Sequence, residues 1–142
     1  MFKVVGFDSK EHVFNFTKNK NRKRRGNKSS YHLSARGLVK ALYPTFSLYE
    51  EVTLPGSKKT GRPSLLFADF FLPELMLVIE VHGEQHYKYI SFFHKNKMDF
   101  LIAKQRDVDK IEWCQLNGIK IVILPYNEQK QWKNLIQQQV SQ

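Results

Sequence analysis

Two apolar runs in the middle of the chain, Leu65 to Phe71 and Met76 to Val81, each contain one carboxylate, Asp69 and Glu80. An ionised carboxylate inside a buried strand is costly unless cations or hydrogen-bond donors accompany it, so the fold must bring compensation to both positions. The runs are divided by Leu72-Pro73-Glu74-Leu75, which predicts a β-hairpin of central strands. With the turn at Glu74 and Leu75, residues 69 and 80 face each other across the hairpin and both carboxylates share one face. Two like charges about 4 Å apart repel by roughly 4 kcal/mol at an effective dielectric near 20. A divalent cation or a shared proton removes that conflict. His82 lies two residues beyond Glu80, on the same side of its strand.

The flanking sequence supplies the rest of a sheet and its covering helices. Residues 2–7 and 12–17 are short β-prone runs separated by Asp8-Ser9-Lys10-Glu11, an expected hairpin. Ser29 or Ser30 can cap a helix with Leu33, Leu38, Val39 and Leu42 near one face, ended by Pro44. From Phe46 to Leu54 the residues alternate, with Phe46, Leu48, Val52 and Leu54 on one side and Ser47, Tyr49, Glu51 and Thr53 on the other. Glu50 falls on the apolar side. Met98, Leu101, Ile102, Val108 and Ile111 recur at helical spacing until Asn117-Gly118 stops a helix of about five turns. Ile119 to Leu124 reads as a buried strand ended by Pro125. The tail places Trp132, Leu135, Ile136 and Val140 on one helical stripe, suited to a core helix or to an interface. The predicted fold is α/β, a mixed β-sheet flanked by helices with an added N-terminal β-hairpin. At 142 residues it is read as one domain, with the hairpin at 1–17, a basic loop at 18–28 and the core at 29–142.

Charge narrows the partner. Twenty-three Lys and Arg against thirteen Asp and Glu leave a formal +10, which favours a polyanion. Lys18, Lys20, Arg22, Lys23, Arg24, Arg25 and Lys28 fall in one segment with no acid and no apolar side chain to bury. Such a segment is suited to lying along phosphates, and it has no aromatic ring to stack on bases. Lys58, Lys59 and Arg62 form a second basic patch in the loop before Asp69. No apolar run approaches the twenty or so residues of a spanning helix, and the basic segment has no apolar face to insert in a membrane. The expected compartment is the cytoplasm, and the N-terminus is not built like a signal peptide. The single Cys114 sits in a helix-like stretch where packing is the expected role.

Hard oxygen ligands, with water in the remaining positions, suit Mg²⁺ or Mn²⁺ shared with substrate phosphates. Asp69 and Glu80 are the candidate ligands, and His82 and His86 the candidates for orienting or deprotonating a water. The competing reading has the carboxylates paired with Lys or Arg and the histidines as ordinary polar contacts.

Asp69, then Glu80-Val81-His82-Gly83-Glu84-Gln85-His86, then Arg106-Asp107 and Lys110 before Leu116-Asn117-Gly118-Ile119-Lys120-Ile121-Val122, resembles the core of the very-short-patch-repair endonuclease-like branch of the PD-(D/E)XK nucleases. The resemblance spans roughly residues 30–128 and includes homing endonucleases of the EDxHD type. It implies a restriction-endonuclease-like fold, with His82 at the position usually held by Lys, Gly83 and His86 matching the branch's Gly and later His, and Asp107 and Lys110 in support. It also implies a bacterial, phage or mobile-element setting. The glutamate common on the family's first helix has no counterpart in Tyr31 to Gly37, and Glu50 or Glu51 are the substitutes at hand.

The expected function is a metal-dependent DNA endonuclease hydrolysing phosphodiester bonds, nicking as a monomer and requiring a homodimer or two sequential events to cut both strands. The alternatives are a non-catalytic nucleic-acid-binding module on the same fold and an RNA-processing nuclease. Tyr87, Tyr89, Phe92, Phe93 and His94 are read mainly as core, with a DNA wedge as the other reading.

Overall fold

The computed structural model describes residues 2–15 and 29–142. The basic segment from Lys18 to Lys28 lies outside the described residues. Strands β1 (Phe2–Val5) and β2 (Glu11–Phe14) form an antiparallel hairpin. Helix α1 (Ser30–Leu42) follows, then strands β3 (Tyr49–Leu54), β4 (Leu66–Leu72) and β5 (Leu77–His82), helix α2 (Lys97–Leu116), strand β6 (Lys120–Pro125) and helix α3 (Trp132–Ser141). The sheet order is β3-β4-β5-β6, antiparallel except for the parallel pair β5–β6, whose crossover contains α2. This is the mixed, helix-flanked α/β sheet with an N-terminal hairpin that the sequence predicts.

The helix ends follow from local chemistry. Ser29 Oγ accepts the His32 N–H at 3.1 Å and so caps α1, while Asn96 Oδ1 accepts the Asp99 N–H at 2.9 Å and caps α2. After α2, Gly118 turns with φ 64° and the Ile119 N–H donates back to the Cys114 carbonyl at 2.9 Å.

Two cores lie on opposite faces of the sheet. α2 and the hairpin bury Val4, Phe14, Trp113 and Cys114 against Val52, Leu54, Leu66, Ala68, Phe71 and Val78. Phe14 stacks on Phe71 at 4.9 Å and meets Trp113 edge-on at 5.7 Å. α1 and α3 bury Ala35, Val39, Trp132 and Ile136 against Phe70, Leu72, Leu77, Ile79 and Leu124 on the other face. The tail helix is therefore core. The hairpin is pinned by Asn117, which accepts the Val5 N–H at 2.6 Å and donates to the Val5 carbonyl at 3.0 Å. It also touches the β3–β4 loop at Gly56, where φ is 71° and a Cβ would fall 2.5 Å from the Gly6 Cα, leaving no room for a side chain.

Three sequence expectations are corrected. On α1, Val39 is buried with Leu38 and Leu42 packed beside it as expected, but Leu33 is exposed and His32 and Ala35 are buried instead. β3 starts at Tyr49, so Phe46 lies outside it, and Tyr49 shares a core with Val52 and Leu54 although alternation puts them on opposite faces. Met98, Leu101, Ile102 and Val108 all lie 42–62% exposed on α2, because the helix instead buries Asp109, Trp113 and Cys114.

The faces of β3 and β4 change phase within the strands. In β4, Leu66 and Ala68 join the α2 core, whereas Phe70 and Leu72 join the opposite one and Phe71 returns to the first. Side chains two apart share a face in a regular strand, so the phase changes at Asp69. In β3 it changes at Glu51, a non-glycine residue with φ 54°. That conformation costs roughly 1–3 kcal/mol and persists only where surrounding structure enforces it. Among the described residues, no helix is long and apolar enough to cross a membrane.

Candidate metal centre and histidine cluster

The two phase changes fall on one row of the sheet. Glu50 pairs with Phe70 and Val52 with Ala68, which brings Glu51 opposite Asp69. The β4–β5 register, with Phe70 opposite Ile79, carries Asp69 opposite Glu80. Three carboxylates thus cross β3, β4 and β5 where regular pairing lapses.

Side chains complete the hydrogen bonding there. The Asp69 N–H donates to Glu80 Oε2 at 2.7 Å, and the Val81 N–H donates to Asp69 Oδ2 at 2.8 Å. The expected juxtaposition of 69 and 80 is present, as an exchange of carboxylates into the backbone ladder. Their further partners come from opposite layers. Lys110 of α2 donates to Glu80 Oε1 at 2.6 Å, and ligand atoms of His32 on α1, Glu51 and Asp69 all lie within 4.8 Å of one another.

The electrostatics follow this arrangement. Burial, reinforced by the Glu80 charge, pushes the Asp69 carboxyl up to about 8, against the opposing pull of Lys110. Burial works against the Lys110 ammonium, but Glu80 and Asp69 outweigh it and its pKa is raised. The lone cation therefore does not hold both carboxylates ionised.

This donor set fits a hard divalent cation, which would displace the proton on Asp69. Glu80 was the expected second ligand, but both its oxygens are committed, one to Lys110 and one to the Asp69 N–H. Glu51 and His32 stand beside Asp69 instead. The sequence left Glu51 open and passed over His32. Its signal was position, since His32, Ala35 and Val39 form the buried stripe of α1 and a histidine on such a stripe requires a polar partner. Its ring stacks on Phe70 at 4.5 Å and its Nε2 lies 2.9 Å from Glu50 Oε1, which also accepts from Arg36.

Beyond Glu80, His82 ends β5, His86 closes a 3₁₀ turn over Glu84–His86, and Asp107 projects from α2. The imidazoles of His82 and His86 stack with their centroids 4.0 Å apart and their planes 9° from parallel. Asp107 receives His86 Nδ1 at 3.0 Å and lies 3.8 Å from His82 Nε2. Burial, with help from His86, pulls the His82 pKa down to about 4, so this imidazole is neutral at pH 7. Burial raises Asp107, but the His86 hydrogen bond and the charges of His82, His86 and Lys110 outweigh it and hold its carboxyl below the usual range. The cluster opens outward, the side chains of His86 and Asp107 keeping 23% and 17% of their exposure. Asp69, Glu80, His82, His86, Asp107 and Lys110 thus form one continuous polar tract.

The second basic patch is mostly structural. Arg62 is buried, donating to Asp109 Oδ2 at 3.1 Å and to the carbonyls of Ser57 and Ser64, so it is corrected from phosphate contact to internal strut. Lys59 reaches Asp109 and Glu112. Lys58 is exposed. Cations that the sequence did not single out, Lys88, Lys95, Lys97 and Lys104, are exposed on the segment around the histidine cluster, as is Arg106. Phe92 and Phe93, expected mainly as core, are 87% and 56% exposed in the same segment. Cys114 is buried, its thiol pushed up to about 12 by that burial, as a packing role requires.

No family model matches the chain, and no solved structure matches it. Uncharacterized protein 307L of Invertebrate iridescent virus 6 is 41% identical over 58 residues, 41% of this chain and 29% of that protein. Uncharacterized protein 033L of Invertebrate iridescent virus 3 is 38% identical over 58 residues, again 41% of this chain and 30% of the relative. Uncharacterized protein 094L of Frog virus 3 (isolate Goorha) is 41% identical over 68 residues, 47% of this chain and 43% of the relative. The matched stretches span less than half the length of these curated relatives.

Proposed function

We propose that the protein is a metal-dependent DNA endonuclease, of the restriction-endonuclease-like branch that its sequence resembles, hydrolysing phosphodiester bonds. The observation that carries the reading is the row Glu51, Asp69 and Glu80, where carboxylates replace ladder bonds and one carboxyl is pushed up to about 8. A merely structural strand has no use for such a concentration of acid, whereas a cation site does. Asp69, Glu51 and His32 would hold Mg²⁺ or Mn²⁺. When bound, the ion would polarise the scissile phosphate and acidify a water.

The remaining steps belong to the chain's own groups. Glu80 fixes the Asp69 backbone through its N–H and keeps Lys110 within reach of the phosphate. His82, neutral at pH 7, can accept a proton at a ring nitrogen from the attacking water. His86 and Asp107 orient that ring and provide the outward path for the proton. The formal charge of +10 brings the phosphate backbone to the site. The relatives are viral proteins, so the setting we propose is a virus-infected cell rather than a bacterium.

Supercoiled plasmid incubated with the protein and Mg²⁺ or Mn²⁺ should be converted to nicked or linear form, and a chelator or Asp69→Asn should stop the conversion. Cleavage of matched RNA alone would change the substrate. Binding without cleavage of either polymer would leave a non-catalytic nucleic-acid-binding module.

A further inference from the structure

We propose that His82, His86 and Asp107 form a second metal site, selective for a transition ion of the Zn²⁺ or Co²⁺ class. It is separate from the oxygen-rich group around Asp69. Its ligand atoms, two imidazole nitrogens and one carboxylate oxygen, all lie within 4.8 Å of one another. A tetrahedral Zn²⁺ with bonds near 2.1 Å sets its ligands about 3.4 Å apart, so the cluster must close by roughly 1 Å. His86 can make that movement, because it sits in a three-residue turn and keeps 23% of its side chain exposed. Three protein ligands and an outward opening leave a fourth position for water.

The chemistry separates this site from its neighbour. Imidazole nitrogen favours Zn²⁺ and Co²⁺ over Mg²⁺, which prefers oxygen throughout. The Lys110 charge is felt at His82, but the carboxylates of Asp107 and of Glu80, the 2.6 Å partner of Lys110, oppose it there. The stack also fits the role, since the nitrogens that face Asp107, His82 Nε2 at 3.8 Å and His86 Nδ1 at 3.0 Å, belong to rings only 4.0 Å apart. The proposal rests on the histidine cluster alone and survives if the nuclease reading fails.

Co²⁺ titrated into the full chain, with millimolar Mg²⁺ present to occupy the oxygen-rich group, reads the site through visible d–d absorption. Wild type and Asp69→Asn should each bind one equivalent, and excess Zn²⁺ should bleach the bands. His86→Ala and Asp107→Asn should weaken binding by at least ~10-fold, the scale of losses seen even for residues that only support a ligand. Asp107→Asn keeps a group able to hydrogen-bond His86, and circular dichroism should show both variants folded. No protein-dependent bands in wild type, bands unchanged in both folded variants, or bands lost in Asp69→Asn would each overturn the proposal.

Discussion

Asp69 and Glu80 are bound to each other's strands: the Asp69 N–H donates to a Glu80 oxygen at 2.7 Å, and an Asp69 oxygen receives the N–H of Val81, the residue after Glu80, at 2.8 Å. Each carboxylate does work that a backbone carbonyl does in a regular ladder, so chemistry at the pair and integrity of the central sheet are linked.

The metal-free protein should lose stability as pH rises. Asp69 titrates near 8 in the fold against 3.8 in the unfolded chain, so between these values the folded state holds the extra proton. Stability is then greatest below pH 4 as far as this group is concerned, and falls by at most about 1.4 kcal/mol per pH unit until pH 8. The charges of Glu80, Lys110 and Glu51 all act on that carboxyl, so the slope depends on this whole group of side chains. Urea denaturation from pH 5 to 8 should show the decline, Asp69→Asn should flatten it, and Mg²⁺ or Mn²⁺ should oppose it. A flat profile in the parent protein would remove the case for a proton waiting to be displaced.

Lys110→Met leaves Glu80 buried without its cation and should cost about 3–5 kcal/mol. Adding Glu80→Gln to that variant should recover part of the loss in stability while cleavage stays absent. Full recovery of cleavage in the double variant would assign the pair to architecture only.

His82→Ala and His86→Ala should each slow cleavage by roughly 10²–10⁴-fold if the pair handles protons. Zn²⁺ added to one equivalent should slow the Mg²⁺-supported reaction of the parent, since occupied imidazoles have no lone pair to accept a proton. Unchanged rates in both variants would return the histidines to ordinary polar contacts.

Arg62→Ala and neutralisation of Arg22, Lys23, Arg24 and Arg25 should act on different observables. The first empties a buried strut of three hydrogen-bond partners and should lower stability by about 2–4 kcal/mol, leaving the salt dependence of DNA binding intact. The second should reduce the slope of log K against log salt by about 0.9 per lost contact, or roughly 3.6 for four. Binding isotherms at several salt concentrations on two unrelated duplexes separate the two. An unchanged slope after the four-fold change would make that segment a solvated loop.

The order of elements and the central hairpin were legible because apolar run length, Pro73, Pro125 and Gly118 act locally. The convergence of 69 with 80 was legible for the same reason, as the connection is short. The faces of β3 were not, because a phase change at Glu51 depends on a left-handed backbone that no residue type there announces. Helix α2 misled for a different reason. Its Met98, Leu101, Ile102 and Val108 mimic an inward stripe, yet the helix is oriented by Trp113 and by Asp109, which binds Arg62, Lys59 and Gln105. His32 escaped notice because its partners are 18 and more residues away.

The carboxylate-closed row also gives the molecule a built-in reporter. Asp69 Oδ2 already receives the Val81 N–H, so an ion that drew on this oxygen would compete with an amide in the middle of a buried strand. Loading and local strand opening thus become a single equilibrium, visible as faster solvent exchange of one amide before any substrate is present.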